Sequence, residues 1–209
     1  MMKLLCLANS RKNMHRCIAG MTADGVWIRP VSNLPDGSIT RDMRQIDGRE
    51  PKLLDVLGIP LAENGPDFGH QPENRLVLQG AWERTGKLAI ANVRHFCETR
   101  DVLLHTATDR VPATMIAGMP QADRYSLQLI EVTDARFHQT VNFRGNPQYR
   151  ARFTYSGEEY DIVVTDPVAE ERLAKNDTLN ANCILTLSMG GPYDANYYKF
   201  LAAVIEPND

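Results

Sequence analysis

Apolar and polar residues alternate with a period of two along much of the chain, a pattern that predicts strands. In the first half, "KLLCLA" (3–8), "HRCIAGMT" (15–22) and "VWIRPV" (26–31) read as three strands, the last two joined by an Asp24-Gly25 hairpin turn. "SITRDMRQI" (38–46) predicts a weak helix with Ser38 or Thr40 as its cap. "PKLLDVLGIPLA" (51–62), with Pro51 and Pro60 marking its ends, and "NRLVLQG" (74–80) supply two further strands. Residues 81–124 predict one or two connecting helices.

The second half repeats this order more clearly. "YSLQLIEVTDARF" (125–137), "QYRARFTY" (148–155) and "EEYDIVVT" (158–165) are strands, the last two turning at Ser156-Gly157. Asp166 is an N-cap with Pro167 at the first helical position, so "VAEERLAK" is a short helix. "NCILTLSM" (182–189) and "YYKFLAAVIE" (197–206) follow across a Gly190-Gly191-Pro192 turn. Three strands, a helix and two strands is the order of an OB-fold, a five-stranded Greek-key barrel. The fold class is mainly β with short helices, two OB-like five-stranded Greek-key barrels in tandem. The expected domains are 1–105, an N-terminal OB-like domain with a helical connector, and 106–209, a C-terminal OB-like domain. Periodicity cannot report barrel closure, so a split α+β sheet stays open for the second half.

Length and composition agree with two packed domains: 209 residues, 43% hydrophobic. Charge is divided unevenly. Residues 1–105 carry a net +2 and 106–209 a net −5, and within 3–44 seven basic residues face three acidic ones. Such a basic zone attracts phosphate, or is a solvated face. The four cysteines are widely spaced without a zinc-site pattern, which predicts reduced thiols and no metal or cofactor. The amino terminus does not read as a signal peptide and no apolar run reaches membrane length, so the expected location is cytoplasmic with no membrane partner.

The strongest candidate site joins "ANSRKNMHR" (8–16) to "GVWIRPVS" (25–32). Asn9, Ser10, Arg11, Lys12 and Arg16 lie in a cationic loop between strands, and in OB-folds that loop and the face of strands two and three hold ligand. Trp27 and Arg29 fall on one side of a strand, offering a π-face for a base and a fork for phosphate. Alternatively, Trp27 packs in the core and Arg29 bonds an internal carboxylate such as Asp55. Tyr149, Phe153 and Tyr155 oppose Arg150 and Arg152, either as a stacking platform or as core. Lys199 interrupts an apolar strand, either at a barrel mouth contacting ligand or covering a sheet edge. His70 and Glu73 in "HQPEN" (70–74) are weak candidates for acid-base catalysis, since turn hydrogen bonds explain such a pair better.

The runs "KLLCLANSRKNMHRCIAG", "GVWIRPVS", "LLDVLGIPL" with "HQPEN", and "FTYSGEEYDIVVTDP" with "YYKFLAAVIE" together resemble the bacterial dual OB domain-containing proteins. The resemblance spans nearly the whole chain and is weakest over 81–124. It implies two OB-like barrels, a nucleic-acid or nucleotide reader, and a place in bacterial conflict systems. It transfers no catalytic residue. The expected function is a binding module for single-stranded nucleic acid or a nucleotide-derived ligand. The alternatives are a protein-interaction adaptor with a protein partner, and an enzyme acting on nucleic acid or nucleotide through His70 and Glu73.

Overall fold

The computed structural model describes residues 1–207. The chain first builds β1 (Met2–Lys12), β2 (His15–Met21) and β3 (Trp27–Val31), then a single turn of helix, α1 (Arg41–Arg44). β4 (Asp55–Ile59), β5 (Asn74–Leu76) and an added edge strand, β6 (Glu83–Lys87), complete a sheet in the order β5-β3-β2-β1-β4-β6. β5 runs parallel to β3. The segment after β4 returns to the end of β5 through a Leu61–Val77 bridge, with Ala62 N donating to Leu76 O at 2.8 Å. That contact closes the five OB strands into a ring. Inside it lie Leu4, Cys6, Ile18, Ile28, Ile39, Leu57, Ile59 and Trp82.

β7 (Arg110–Pro112) and α2 (Ala113–Ala117) lead to the second sheet. There β8 (Leu127–Val132), β9 (Arg136–Val141), β10 (Pro147–Tyr155) and β11 (Glu158–Val164) precede α3 (Pro167–Ala174), and β12 (Cys183–Tyr193) and β13 (Asn196–Ile205) follow it. The path is β8-β12-β13-β11-β10-β9. The strand expected over 125–137 is thus broken, because both Asp134 carboxylate oxygens accept Thr154 N at 3.1 Å and Ala135 N bonds Ala181 O. Only Thr133–Ala135 separate β8 from β9, so the two ends of the path are one bent strand and the sheet is a closed barrel. Asp166 caps α3, its Oδ1 accepting from Val168 N (2.9 Å) and Ala169 N (3.3 Å), while its Oδ2 accepts from Val204 N at 3.0 Å. One carboxylate therefore starts the helix and fastens it to β13. Phe153 and Tyr155 are core, and Arg150 and Arg152 lie outside around Asp161.

Residues 81–124 depart most from expectation. In place of connecting helices they hold β6, β7, the five-residue α2 and isolated 3-10 turns. "ERTGK" is fully exposed and has no period to read; its pairing with β4 makes it a strand. Leu104 and His105 adopt positive φ of 41° and 74°, held by Leu104 N donating to Gln128 Oε1 at 2.8 Å.

The barrels pack directly on each other. Leu5, Leu7, Met21, Leu54 and Val93 meet Leu129, Ile184 and Ile205, while the small Ala8 and Ala19 let Leu127, Ala202 and Ala203 approach closely. Thr186 Oγ1 donates to Leu7 O at 2.6 Å, and Arg11 N to Thr165 O at 2.8 Å. No helix among the described residues is long and apolar enough to cross a membrane.

Candidate functional site

The face of β1–β3 that an isolated OB barrel would present to ligand is here the seam between barrels. Arg29, on β3, is 1% exposed. Its Nη2 lies 2.9 Å from Glu73 Oε1 and donates to Ser126 Oγ at 2.8 Å and Ser188 Oγ at 3.3 Å. Ser126 Oγ in turn donates to Glu73 Oε1. An internal carboxylate does bind Arg29, and it is Glu73, which leads into the neighbouring strand β5 and whose backbone carbonyl also accepts from Arg29 N, in place of the expected Asp55. Arg29 therefore has no open face on which to meet phosphate.

Lys199 is likewise enclosed, at 2% exposure. Its Nζ donates to Leu103 O (2.5 Å) and Thr106 O (2.6 Å) and stands 5.4 Å from the Tyr160 ring centroid. It covers no edge and reaches no mouth; it fastens the strained 103–106 segment. Burial lowers its pKa to about 7. Ser10 is buried, its Oγ donating to Cys17 O at 3.5 Å.

The pair proposed for acid-base work is also separated from solvent. His70 is buried, its ring stacked on Tyr197 at 4.1 Å and its Nδ1 3.0 Å from Phe68 O. A carbonyl can only accept, so Nδ1 carries the proton. Burial lowers the imidazole pKa to about 4. Glu73 is committed to Arg29, and no hydrogen bond joins it to His70. Among the described residues no group of three His, Cys, Asp or Glu side chains could hold a metal ion.

Trp27 remains half-buried and accessible. It lines a recess of ≈ 610 Å³ with Phe96, His95 and Arg100, and its indole N–H donates to Glu98 Oε1 at 2.9 Å. Arg100 is already bound to Glu98 Oε2 at 2.8 Å and lies over the Tyr125 ring at 4.0 Å.

Basic side chains converge elsewhere, in a cleft of ≈ 730 Å³ between the barrels. Asn9, Arg16, Arg49, Glu50, Pro51, Lys52, Leu53 and Lys87 form one wall. Pro167, Val168 and Ala169 at the start of α3, with Arg172, Leu179, Val204 and Glu206, form the other. Five basic residues and three acidic ones line it, counting Asp166. Arg172 is held by Asp177 at 2.6 Å and by Glu206. Glu50 binds Arg44 at 2.7 Å, and the Arg44 hydrogen bond lowers its pKa. Arg49, Lys52 and Lys87 form no ion pair among the described residues. Of the expected ligand residues the cleft thus gathers Asn9 and Arg16. Arg11 stands beside it, bound to Glu170 on α3 at 2.6 Å, and Lys12 lies outside it. Arg49 and Lys52 stand on either side of Glu50-Pro51 in "DGREPK", a turn-forming run of mixed charge just beyond the zone that the charge count singled out. Nothing in "ERTGK" signals that Lys87 will join them.

A family model described as the dual OB-containing domain matches residues 2–204. Among solved structures the chain is similar to the crystal structure of the tetrameric p202 HIN2, with 6% identity and a TM-score of 0.30, covering 97% of this chain and 92% of that one. No curated protein matches.

Proposed function

The chain belongs to the dual OB-containing domain family, and from that premise we propose that it is a binding module for single-stranded nucleic acid or a nucleotide-derived ligand, held in the cleft between its barrels. One observation carries the reading: Arg49, Lys52 and Lys87, three cations with no ion pair among the described residues, line the same cleft as the apolar Leu53, Val168, Leu179 and Val204. Cations and apolar side chains in one cleft suit a strand whose phosphates stay solvated while its bases leave water. The chain as a whole has a net charge of −3, which disfavours indiscriminate attraction of polyanions and leaves this local surplus to act.

Three phosphate contacts to a single strand give a slope of log K against log salt near −2, and so about a fifteen-fold loss of affinity over a fourfold rise in salt. The test is fluorescence anisotropy with a labelled single-stranded oligonucleotide and the variant Arg49→Ala/Lys52→Ala/Lys87→Ala. The variant should lose at least about tenfold in affinity at low salt and most of the salt slope. Wild-type affinity in this variant, with its fold intact by circular dichroism, overturns the reading.

A further inference from the structure

Two buried polar atoms of the cleft wall, Asn9 Oδ1 and Arg16 Nε, have no hydrogen-bond partner among the described residues. Buried polar groups are nearly always paired, so such atoms at a ligand surface ask for an explanation. Asn9 Nδ2 donates to Pro51 O at 2.8 Å. Because that carbonyl can only accept, the amide is fixed with its nitrogen toward Pro51, and Oδ1 is a free acceptor. Arg16 Nε is 3.7 Å from Glu50 Oε2, too far for a hydrogen bond, and the other oxygen of Glu50 is taken by Arg44. In the β1–β2 register Asn9 opposes Ile18 and Arg11 opposes Arg16. Asn9 and Arg16 are therefore diagonal neighbours on one face, a neutral acceptor beside a cationic donor.

We propose that Asn9 and Arg16 read the edge of a nucleobase that carries a ring N–H beside a carbonyl oxygen, as thymine, uracil and guanine do. Both atoms are closed to solvent in this structure, so the two side chains shift as the base enters; Asn9 Oδ1 then accepts the ring N–H, and Arg16 Nε donates to the carbonyl. The base lies against the apolar Leu53 and Val168, and its phosphates meet Arg49, Lys52 and Lys87. The proposal rests on the cleft being the nucleic-acid site and adds selectivity to it.

The experiment compares a labelled oligothymidylate of about fifteen nucleotides with the same oligomer built from N3-methylthymidine, which blocks the ring N–H and keeps the phosphates. The wild-type protein should bind the unmodified oligomer about tenfold more tightly. Asn9→Leu and Arg16→Lys should bind the two oligomers equally, and Arg16→Lys, which keeps its charge, should retain the salt slope. Equal binding of both oligomers by the wild type, or discrimination surviving in both variants, overturns base-edge reading and leaves the cleft assignment standing. Wild-type affinity in Arg49→Ala/Lys52→Ala/Lys87→Ala, or no binding of either oligomer at low salt, removes the cleft assignment and this proposal with it.

Discussion

Replacing Glu73 by leucine leaves the Arg29 guanidinium charged in the seam between the barrels, with the neutral hydroxyls of Ser126 and Ser188 and the Ser126 carbonyl as its acceptors. Both partners are buried, at 1% and 7% exposure, so water cannot take the place of the carboxylate. Breaking such a pair from one side costs about 3–5 kcal/mol, because the surviving charge has been stripped of water without compensation. Ser126 also loses its acceptor. With a urea m-value of about 2–3 kcal/mol/M, the unfolding midpoint should fall by about 1.5 M. Arg29→Met strands the carboxylate and should cost a similar amount. The double variant Arg29→Met/Glu73→Leu removes both charges, and it should fall well short of the sum, with a coupling of at least about 1.5 kcal/mol. Urea titrations followed by tryptophan fluorescence measure all three, since Trp82 is buried in the first barrel and Trp27 abuts the seam. A Glu73→Leu cost below about 1 kcal/mol, or additive single costs, would show that this pair does not secure the seam.

Two further outcomes follow from buried positions. Burial lowers the Lys199 pKa to about 7 from 10.5, so between those values the unfolded chain binds a proton that the folded chain does not. Stability must therefore rise from pH 7 to pH 9, with a slope of up to about 1.4 kcal/mol per unit, and Lys199→Met should flatten that slope in urea melts. The uncharged amine still has two N–H donors for the Leu103 and Thr106 carbonyls, so the segment stays fastened as the charge is lost. Gly20→Ala would place a Cβ 1.8 Å from Leu5 O, a backbone atom of the paired strand, and should cost upwards of about 3 kcal/mol or abolish soluble expression. Gly86→Ala, where a Cβ meets nothing within 4 Å, should stay within about 0.5 kcal/mol in thermal melts, and equal effects of the two would refute the close-approach account.

Alternation along 148–155 and 158–165, the positive-φ turn at Ser156-Gly157 and the Asp166 cap are properties of neighbouring residues, and they placed the hairpin and α3 before any fold was known. The strand-helix-strand order of both barrels was legible for the same reason. Closure was decided by distant partners: the Asp134–Thr154 bonds that bend one long strand into β8 and β9, and the Leu61–Val77 bridge that joins the ends of the first sheet. The exposed strand β6 has no apolar period, and it exists only because β4 offers an unpaired edge. Arg29 and Trp27, two residues apart on one strand side, looked equivalent in sequence, yet one is sealed against Glu73 and the other still borders solvent. Arg49 and Lys52, Lys87, and Val168 come from three separate segments and meet only where the barrels face each other. Local pattern determines which residues can form a strand or start a helix, because those choices depend on dihedral angles and bonds within a few residues. Which surfaces are buried, and which charges keep access to water, depends on the surfaces brought together by folding, and here the second barrel decided that for the first.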